Sequence, residues 1–279
     1  MMIKFINAVP SGMSVCNPRF LLFLIFFVLI CLLIPVSSNN EHIERLSFLK
    51  SCGFNPSVIL DIGANFGGWT AQSLKIFPKS KFLMVEGNEF HRQALTDVAA
   101  GGDVKFDIAL VSDTVKNVTF FVGDHGSSGS TLLRETSVHE FKEVMATAYD
   151  LNTIIKRNNF PPAQLLKIDI QGAELLALKG ASEIMPSVEV ILLEVALLNY
   201  NIGQPSFYHL YRKLHRENFE IYSFQGVSVQ DDGTVLQADT FFVVPYASPF
   251  PYLAPSTSWE FLHQHCKLGI LNPSKSLNP

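Results

Sequence analysis

The chain reads Val58-Ile-Leu-Asp-Ile-Gly-Ala-Asn-Phe-Gly-Gly68, where a short apolar run breaks into a glycine-rich turn. The run that begins at Val58 predicts a buried strand, and Gly67 and Gly68 are expected to open the helix that follows. A strand that turns tightly into a helix is typical of α/β proteins that bind a nucleoside. The stretch therefore predicts the first strand, turn and helix of such a sheet.

The individual positions of this turn narrow the kind of ligand. Gly63 is expected to let the backbone approach a ligand where a side chain would collide, and Asp61 and Asn65 would supply polar contacts. The dinucleotide motif G-x-G-x-x-G requires a second glycine where this chain has Asn65, so a bound pyrophosphate is disfavoured. Any α/β protein can carry a glycine-rich first turn, and that plainer interpretation stays open here.

A second acidic residue ends the next apolar strand, Lys81-Phe-Leu-Met-Val-Glu86. In a doubly wound sheet this strand lies beside the first, so Glu86 is expected next to the glycine-rich turn. A carboxylate there can accept hydrogen bonds from both hydroxyls of a ribose. An ordinary surface carboxylate at a strand end is the alternative, and Asp61 and Gly63 weaken it.

Apolar strands then alternate with helical patterns, which is typical of a mostly parallel sheet covered on both faces. Strands are predicted at residues 57–62, 81–86, 104–110, 164–169 and 188–194, and helices at 67–77, 89–99, 173–181 and 206–217. Two further strands, 219–224 and 240–245, flank the turn Asp231-Asp-Gly233 and predict an antiparallel hairpin at the sheet edge. An insertion at 112–160 is expected to hold one strand, 117–122, and a polar loop, 123–131.

The N-terminal part departs from globular composition. Residues 20–36 carry no charge and are rich in Leu, Phe and Ile, so they are just long enough to cross a bilayer. We expect an uncleaved signal anchor that follows an N-terminal tail, 1–19, and precedes a linker and leading helix, 37–56. A signal peptide cleaved after Ser38, giving a secreted protein, and a buried core helix are the alternatives.

Composition bounds the compartment and the partners. The formal net charge is only −4 and the basic residues are scattered, so nucleic acid is not an expected partner. The short N-terminal tail favours a single-pass endomembrane protein with a lumenal domain, although basic residues flank the apolar segment on both sides. In that compartment Cys52 and Cys266 could pair, unpaired thiols being the alternative, and Asn117-Val-Thr119 is a glycosylation triplet.

Together these residues resemble the FkbM-type methyltransferases. The matching segments are Leu60-Asp-Ile-Gly-Ala-Asn-Phe-Gly67, Val85-Glu-Gly-Asn88, Ala109-Leu-Val-Ser-Asp113, Gly126-Ser-Ser-Gly-Ser-Thr-Leu132, Leu166-Lys-Ile-Asp-Ile-Gln-Gly-Ala-Glu174 and Ile191-Leu-Leu-Glu194. The resemblance covers roughly residues 58–245. It departs at Gln171, where the family usually carries Glu, and this puts the role of that position in doubt.

The resemblance implies a class I methyltransferase fold, which is a Rossmann-like, mostly parallel α/β sheet with a C-terminal antiparallel hairpin. It also implies S-adenosyl-L-methionine as the cofactor and methyl transfer to a hydroxyl of a sugar or natural product. We expect this domain at residues 57–246, followed by a tail at 247–279. A sugar, glycan, lipid or other small molecule is the expected acceptor.

The resemblance also assigns the cofactor-binding residues by position. Asp61, Gly63 and Asn65 would line the amino acid and ribose part of the cofactor. Glu86 would hold the ribose diol. Asp107 to Ala109 would border the adenine.

A hydroxyl acceptor must lose its proton, and the ends of the fourth and fifth strands of such a sheet face the cofactor. Asp169 is the predicted general base, with Glu174 and Glu194 behind it and with His125 delivered by the polar loop. A structural carboxylate at a helix start is the alternative for Glu174. Lys167 is expected on the face of its strand opposite to Asp169.

Two other classes of protein stay open. One is a membrane-anchored module that keeps the fold and binds the nucleoside but no longer methylates, and Gln171 is the residue that suggests it. The other is a lumenal glycosyltransferase, which would need a D-x-D-like metal pair after a nucleotide-sugar strand. Asp231-Asp232 lies in a predicted hairpin turn and does not form such a pair. For the methyltransferase, metal assistance stays open because Asp169, Glu174, Glu194 and a histidine are hard ligands for Mg²⁺ or Mn²⁺, but no compact ligand motif supports it.

Overall fold

The structure is a computed structural model that describes residues 41–123, 129–134, 141–198, 201–230 and 232–244. Within these residues helices alternate with strands, apart from one run of four consecutive strands and a final pair of strands. In chain order they are α1 (Glu41–Ser51), β1 (Val58–Ile62), α2 (Gly68–Ile76), β2 (Lys81–Glu86), α3 (Arg92–Ala99), β3 (Val104–Ile108), β4 (Leu110–Val111), β5 (Lys116–Val122), β6 (Lys142–Tyr149), α4 (Leu151–Arg157), β7 (Leu165–Ile168), α5 (Glu174–Lys179), β8 (Val190–Ala196), α6 (Phe207–Arg216), β9 (Glu220–Val229) and β10 (Val235–Val243).

The main sheet has seven strands in the order β3-β2-β1-β7-β8-β10-β9. The first five are parallel to one another, and β10 is antiparallel to both β8 and β9. The predicted mostly parallel α/β sheet with an antiparallel C-terminal hairpin is therefore confirmed. Because parallel strands share a direction, the turns that follow β1, β2, β7 and β8 all emerge at one edge, called here the carboxyl edge.

Apolar side chains cover both faces of this sheet. All five residues of β1 are buried, and its apolar side chains alternate between two core clusters. Leu60 and Ile62 belong to a cluster that includes residues of α4, α5 and α6, whereas Ile59 belongs to one that includes residues of α1 and α2. The continuous apolar run in the sequence therefore belongs to a strand that is buried on both faces of the sheet.

The insertion after β3 forms a second sheet with the order β4-β6-β5. The predicted strand at 117–122 is confirmed as β5, but β6 and α4 were not predicted. The sequence of β6, Lys-Glu-Val-Met-Ala-Thr-Ala-Tyr, gives a weak strand signal because most of its residues are at least partly exposed and only Ala148 is buried.

At the opposite, amino edge of the main sheet, one side chain ties two strands together. The Gln164 side-chain oxygen accepts hydrogen bonds from the backbone N–H groups of Ser57 and Val58 and from the Ser57 hydroxyl, each at 3.0 Å. This contact fixes the start of β1 against the segment that leads into β7.

The N-terminal and C-terminal predictions lie largely outside the described residues. These include the apolar segment 20–36 and the tail 247–279, as well as the loop residue His125. Across the ranges that the structure describes, none of the helices combines the length and the apolar character needed to span a bilayer. The predicted leading helix is present as α1, which begins at Glu41 and buries Leu46 and Leu49.

Candidate functional site

A pocket of about 330 Å³ opens at the carboxyl edge, which is the volume range of small-molecule sites. It is bounded by the turns after β1, β2 and β7, by Glu194 of β8 and Gln237 of β10, and by part of the insertion. The lining residues used below are Gly63, Asn65, Glu86, His91, Ala109, Leu110, Val111, Phe120, Ser130, Thr131, Leu132, Asp169, Gln171, Glu194 and Gln237.

The turn after β1 is pressed against the end of β7. Gly63 has φ +78°, and a Cβ added to it would lie 1.8 Å from the backbone oxygen of Asp169. The glycine is therefore required by packing against Asp169 and by the left-handed backbone, and not only by the approach of a ligand. This contact brings the glycine-rich turn and the predicted base into one site.

Asp61 supports this turn from behind. It is fully buried, accepts a hydrogen bond from the Thr70 hydroxyl at 2.7 Å, and pairs with the Lys167 ammonium at 3.1 Å. Lys167 also donates to the carbonyl oxygen of Gly63 at 3.3 Å. Asp61 does not line the pocket. Its contacts hold the turn in position, whereas the sequence predicted that it would contact the cofactor.

The prediction for Lys167 was wrong. Residues two positions apart share one face of a strand, and the Lys167 ammonium lies 3.6 Å from a carboxylate oxygen of Asp169. Burial disfavours the ammonium form, but the carboxylates of Asp61 and Asp169 outweigh burial, so the pKa of Lys167 is raised. A permanent positive charge therefore stands beside both acids.

Glu86 lies beside the glycine-rich turn, as predicted from the strand order. One carboxylate oxygen accepts the backbone N–H of Asn65 at 2.8 Å, and the other accepts that of Asn88 at 2.7 Å. An ionised carboxylate has about four acceptor positions, so each oxygen keeps capacity for a ligand hydroxyl. The geometry suits a residue that holds a diol.

The carboxyl ends of β7 and β8 contribute an acidic pair joined by an amide. The Gln171 side chain donates to Asp169 at 3.2 Å and to Glu194 at 2.8 Å, and Gln237 donates to the other oxygen of Glu194 at 2.6 Å. Burial first, and then the nearby charge of Asp169, raise the pKa of Glu194 well above its ordinary value. Gln171 and Gln237 were not predicted as site residues.

Glu174 lies beneath the turn that follows β7 and does not line the pocket. One of its oxygens accepts the backbone N–H groups of Ile170 and Gly172, at 3.1 and 2.9 Å. Burial raises its pKa to about 7 against the lowering effect of those hydrogen bonds. The contacts are those of the structural, helix-start alternative, with the carboxylate holding the turn that carries Gln171.

The far wall of the pocket is mostly apolar and differs from the prediction at one residue. Ala109 lines it as expected, together with Leu110, Val111 and Phe120. Asp107 does not, because its carboxylate accepts hydrogen bonds from Arg157 at 2.7 Å and from Asn158 at 2.6 Å. Residues two positions apart face the same side of an extended strand. Asp107, however, lies within β3, whereas Ala109 follows the end of that strand.

His91 is a pocket residue that the sequence reasoning missed. Its ring is 2% exposed and packs edge-on against Phe66 at a centroid distance of 4.3 Å. Its Nδ1 is buried without a hydrogen-bond partner, as is the side-chain oxygen of Asn65 in the same pocket. Its position in the sequence could have indicated this role, because His91 lies in the segment after β2, which must border the site.

The described part of the polar loop closes one side of the pocket. Ser130, Thr131 and Leu132 line it, and the Thr131 hydroxyl donates to the backbone oxygen of Gln171 at 2.7 Å. His125, the loop residue predicted to act on substrate, lies outside the described residues. Among the residues that are described, no three His, Cys, Asp or Glu side chains converge to hold a metal ion.

These residues fit a nucleoside with a charged tail. Asn65 and His91 offer unpartnered buried polar atoms, Glu86 offers free acceptor capacity, and the wall at Ala109 to Val111 is apolar enough for a flat base. A buried polar atom without a partner is costly, so a ligand that supplies the missing hydrogen bonds is favoured.

The sheet order and the pocket at its carboxyl edge define a class I methyltransferase-like α/β protein. The sequence matches the methyltransferase FkbM domain over residues 61–221, which is more than half of the 279-residue chain. The chain therefore belongs to the FkbM methyltransferase family. The cofactor that goes with this membership is S-adenosyl-L-methionine.

Solved structures with a similar arrangement are distant in sequence. A methyltransferase FkbM from Methylobacillus flagellatus KT is 14% identical with a TM-score of 0.43, and the match covers 66% of this chain and 43% of that one. Magnesium protoporphyrin IX methyltransferase from Synechocystis PCC 6803, solved with bound SAM, is 10% identical with a TM-score of 0.41, covering 73% and 78%. An O-methyltransferase family protein from Burkholderia thailandensis is 10% identical with a TM-score of 0.40, covering 72% and 55%. No curated protein matches the sequence.

Proposed function

We propose that this protein transfers the methyl group of S-adenosyl-L-methionine to a hydroxyl oxygen of a sugar, lipid or other small-molecule acceptor. The observation that carries the proposal is the contact between Gly63 and Asp169. It joins the glycine-rich turn, which would hold the cofactor, to a carboxylate that can take a proton from the acceptor.

Residues on the β1 and β2 side of the pocket would hold the cofactor. Glu86 would accept from the ribose hydroxyls, and Asn65 and His91 would satisfy their unpartnered atoms on the nucleoside or its amino acid tail. When bound, S-adenosyl-L-methionine supplies an already activated methyl group, so the protein has mainly to align the acceptor oxygen with it.

Residues on the β7 and β8 side would handle the acceptor. Asp169 would take the hydroxyl proton, and the Lys167 ammonium lies 3.6 Å from its carboxylate. Gln171 would keep Asp169 and Glu194 in a fixed relation through its two donated hydrogen bonds. Amide and carboxylate groups of this kind pair well with the hydroxyl groups of a sugar or polar headgroup.

Two measurements test the proposal in sequence. Calorimetry on the purified full chain in detergent should detect binding of S-adenosyl-L-methionine and of its demethylated product, and the absence of heat with both would exclude the assignment. Mass spectrometry of glycans and lipids from cells with and without the gene should then show an acceptor that differs by one methylene unit.

A binding module without transfer activity is the second candidate, and it is favoured by Gln171 alone. Under that hypothesis the cofactor binds but no acceptor is methylated by either the natural chain or a variant with Gln171→Glu. Methylated product from the natural chain would eliminate it.

A single-pass anchor through residues 20–36, with the described domain in an oxidising lumen, completes the proposal. It is supported by Cys52, which takes part in a disulfide bond, since such bonds persist in oxidising compartments. It is also supported by Asn117, which is exposed on β5, an edge strand of the second sheet. A glycosidase should increase the gel mobility of the natural chain but not of Asn117→Gln, and a cytosolic domain would show no shift in either.

A further inference from the structure

Large apolar side chains are exposed just after β8 and along the second half of β9, from mid-strand to the carboxyl edge. Leu197 and Leu198 follow β8 and are 43% and 39% exposed, while Phe224, Val227 and Val229 in β9 are 46%, 48% and 53% exposed. We call these five side chains the apolar rim. Exposed apolar groups that gather in one place mark interaction surfaces more often than single ones do.

The topology brings these two segments to the same edge. β10 is antiparallel to β8 and to β9, so β9 runs in the direction of β8 and both end on the side of the pocket. The N–H groups of Leu197 and Leu198 both donate to the carbonyl oxygen of Leu236, and Val235 pairs with Val229. Leu197, Leu198 and Val229 therefore flank the first residues of β10, beside the pocket residue Gln237.

The rim residues lie in two stretches without formal charge, and the charged residues that flank these stretches in the sequence include the acids Glu194 and Asp231-Asp232. Residues 195–211 and 221–230 contain no Asp, Glu, Lys or Arg. A surface that docks on an acidic or basic partner would be expected to present complementary charge. An uncharged apolar rim suits the interfacial region of a bilayer, which buries apolar side chains without needing counter-charges.

The N-terminal end of the described domain meets the same hairpin. The Glu41 carboxylate accepts the backbone N–H of Gly226 at 2.7 Å, and His42 Nε2 lies 2.7 Å from the Asp239 carboxylate. In the sequence only residues 37–40 separate α1 from the apolar segment 20–36. The first turn of α1 therefore lies against the hairpin that carries three of the rim residues.

We propose that the apolar rim docks this domain on the surface of a lipid bilayer, so that the pocket faces the membrane and takes an acceptor presented there. The proposal deepens the proposed function and rests on its membrane anchor. Because the rim has no cationic side chains, docking should occur on neutral lipid and should not require anionic headgroups.

The test places a fluorescent reporter on the rim. The full chain carrying Val227→Trp is reconstituted in phosphatidylcholine vesicles whose acyl chains are brominated, and its emission is compared with that of the natural chain. The matched control is Lys79→Trp, an exposed position in the turn before β2 at the amino edge. Each variant is first checked for S-adenosyl-L-methionine binding as a sign of correct folding. If Val227→Trp binds less than the natural chain, Phe224→Trp is used in its place.

We expect bromolipid to quench the added emission at Val227 severalfold more than at Lys79, equally with and without anionic lipid. Equal quenching at both positions in protein that floats with the vesicles would overturn the docking while leaving the anchor intact. Protein that does not float with the vesicles would overturn the anchor itself. If the tryptophan emission at position 227 is not quenched and the chain cross-links as a dimer, the docking is overturned and the apolar rim is assigned to contact with a second copy of the chain.

Discussion

The side-chain amide of Gln171 lies between two acids, donating to Asp169 at 3.2 Å and to Glu194 at 2.8 Å. A neutral donor at this position relieves the repulsion between two neighbouring carboxylates. It also gives a structural role to the residue at which the sequence departs from the expected motif.

Replacing Gln171 by Glu should destabilise the protein increasingly as the pH rises. The new carboxylate cannot donate when ionised, so it would leave Glu194 with one donor and add a like charge beside Asp169, costing about 1–3 kcal/mol. Thermal unfolding at pH 5 and pH 8 measures the effect. Gln230→Glu, at an exposed position, is the control, and a loss that is the same at both pH values would contradict this account.

Replacing Asp169 by Asn should lower turnover by about 10²–10⁴-fold, the usual contribution of a general base, and leave cofactor affinity nearly unchanged. Asp107→Asn removes a carboxylate that lies outside the pocket and should keep its turnover. Single-turnover kinetics with the identified acceptor measures both. Full turnover in the Asp169 variant would remove that residue from the role.

The buried pair of Asp61 and Lys167 should show strong coupling. Lys167→Met leaves the Asp61 carboxylate buried without its ion-pair partner, and the free energy of unfolding should fall by about 3–5 kcal/mol. The double variant with Asp61→Asn should regain part of the loss, because the Thr70 hydroxyl can still donate to the new amide. Denaturant unfolding of the full cycle measures the coupling, and strictly additive losses would disprove it.

Gly63→Ala should disrupt the junction between β1 and β7. The added Cβ would lie 1.8 Å from the Asp169 carbonyl oxygen on a backbone with φ +78°, so unfolding free energy should drop by at least about 2 kcal/mol. Gly68→Ala is the matched control, since no atom lies within 4 Å of its added Cβ. Equal stability of the two variants would refute the packing argument.

Glu174 should make the protein less stable as the pH rises from about 4.5 to about 7. Its pKa is raised from 4.5 to about 7 in the folded state by burial, so the folded state binds the proton more tightly, and the stability present at low pH is lost through this range. The loss amounts to about 3 kcal/mol. Glu174→Gln keeps the acceptor oxygen and should flatten this part of the stability profile, measured by denaturant unfolding at several pH values. An unchanged slope would count against the assignment.

The sequence predicted those features that depend on local pattern. The apolar runs at β1 and β2 located the strands. The strand order of a doubly wound sheet fixes which turns are neighbours, and Gly63, Asn65 and Glu86 accordingly line one pocket, while their contacts with the cofactor stay predictions. It could not separate Asp61, which supports the turn, from residues that line the pocket. That difference depends on the partner of Asp61, Lys167, which is 106 positions away.

Other features needed tertiary information. The direction of the Asp107 side chain is decided by Arg157 and Asn158 on a helix that the sequence pattern did not reveal. Gln171 looked like a departure from a motif, and only its distances to two acids show what it does. His91 carries no motif at all, so its place in the pocket follows from the turn after β2 alone.

Asn65 and Gln171 have a left-handed backbone, with φ +51° and +54°, although neither is glycine. Such a conformation costs of order 1–3 kcal/mol in a residue with a side chain. Asn159 and Asn218 also adopt it, after α4 and α6, but Asn65 and Gln171 do so in turns that border one pocket. Glycine at both positions would relieve this strain but would remove the Asn65 amide that lines the pocket and the Gln171 amide that donates to the two acids. Among the described residues, two of the four left-handed backbone positions that carry a side chain thus place an amide in the pocket at the cost of local strain.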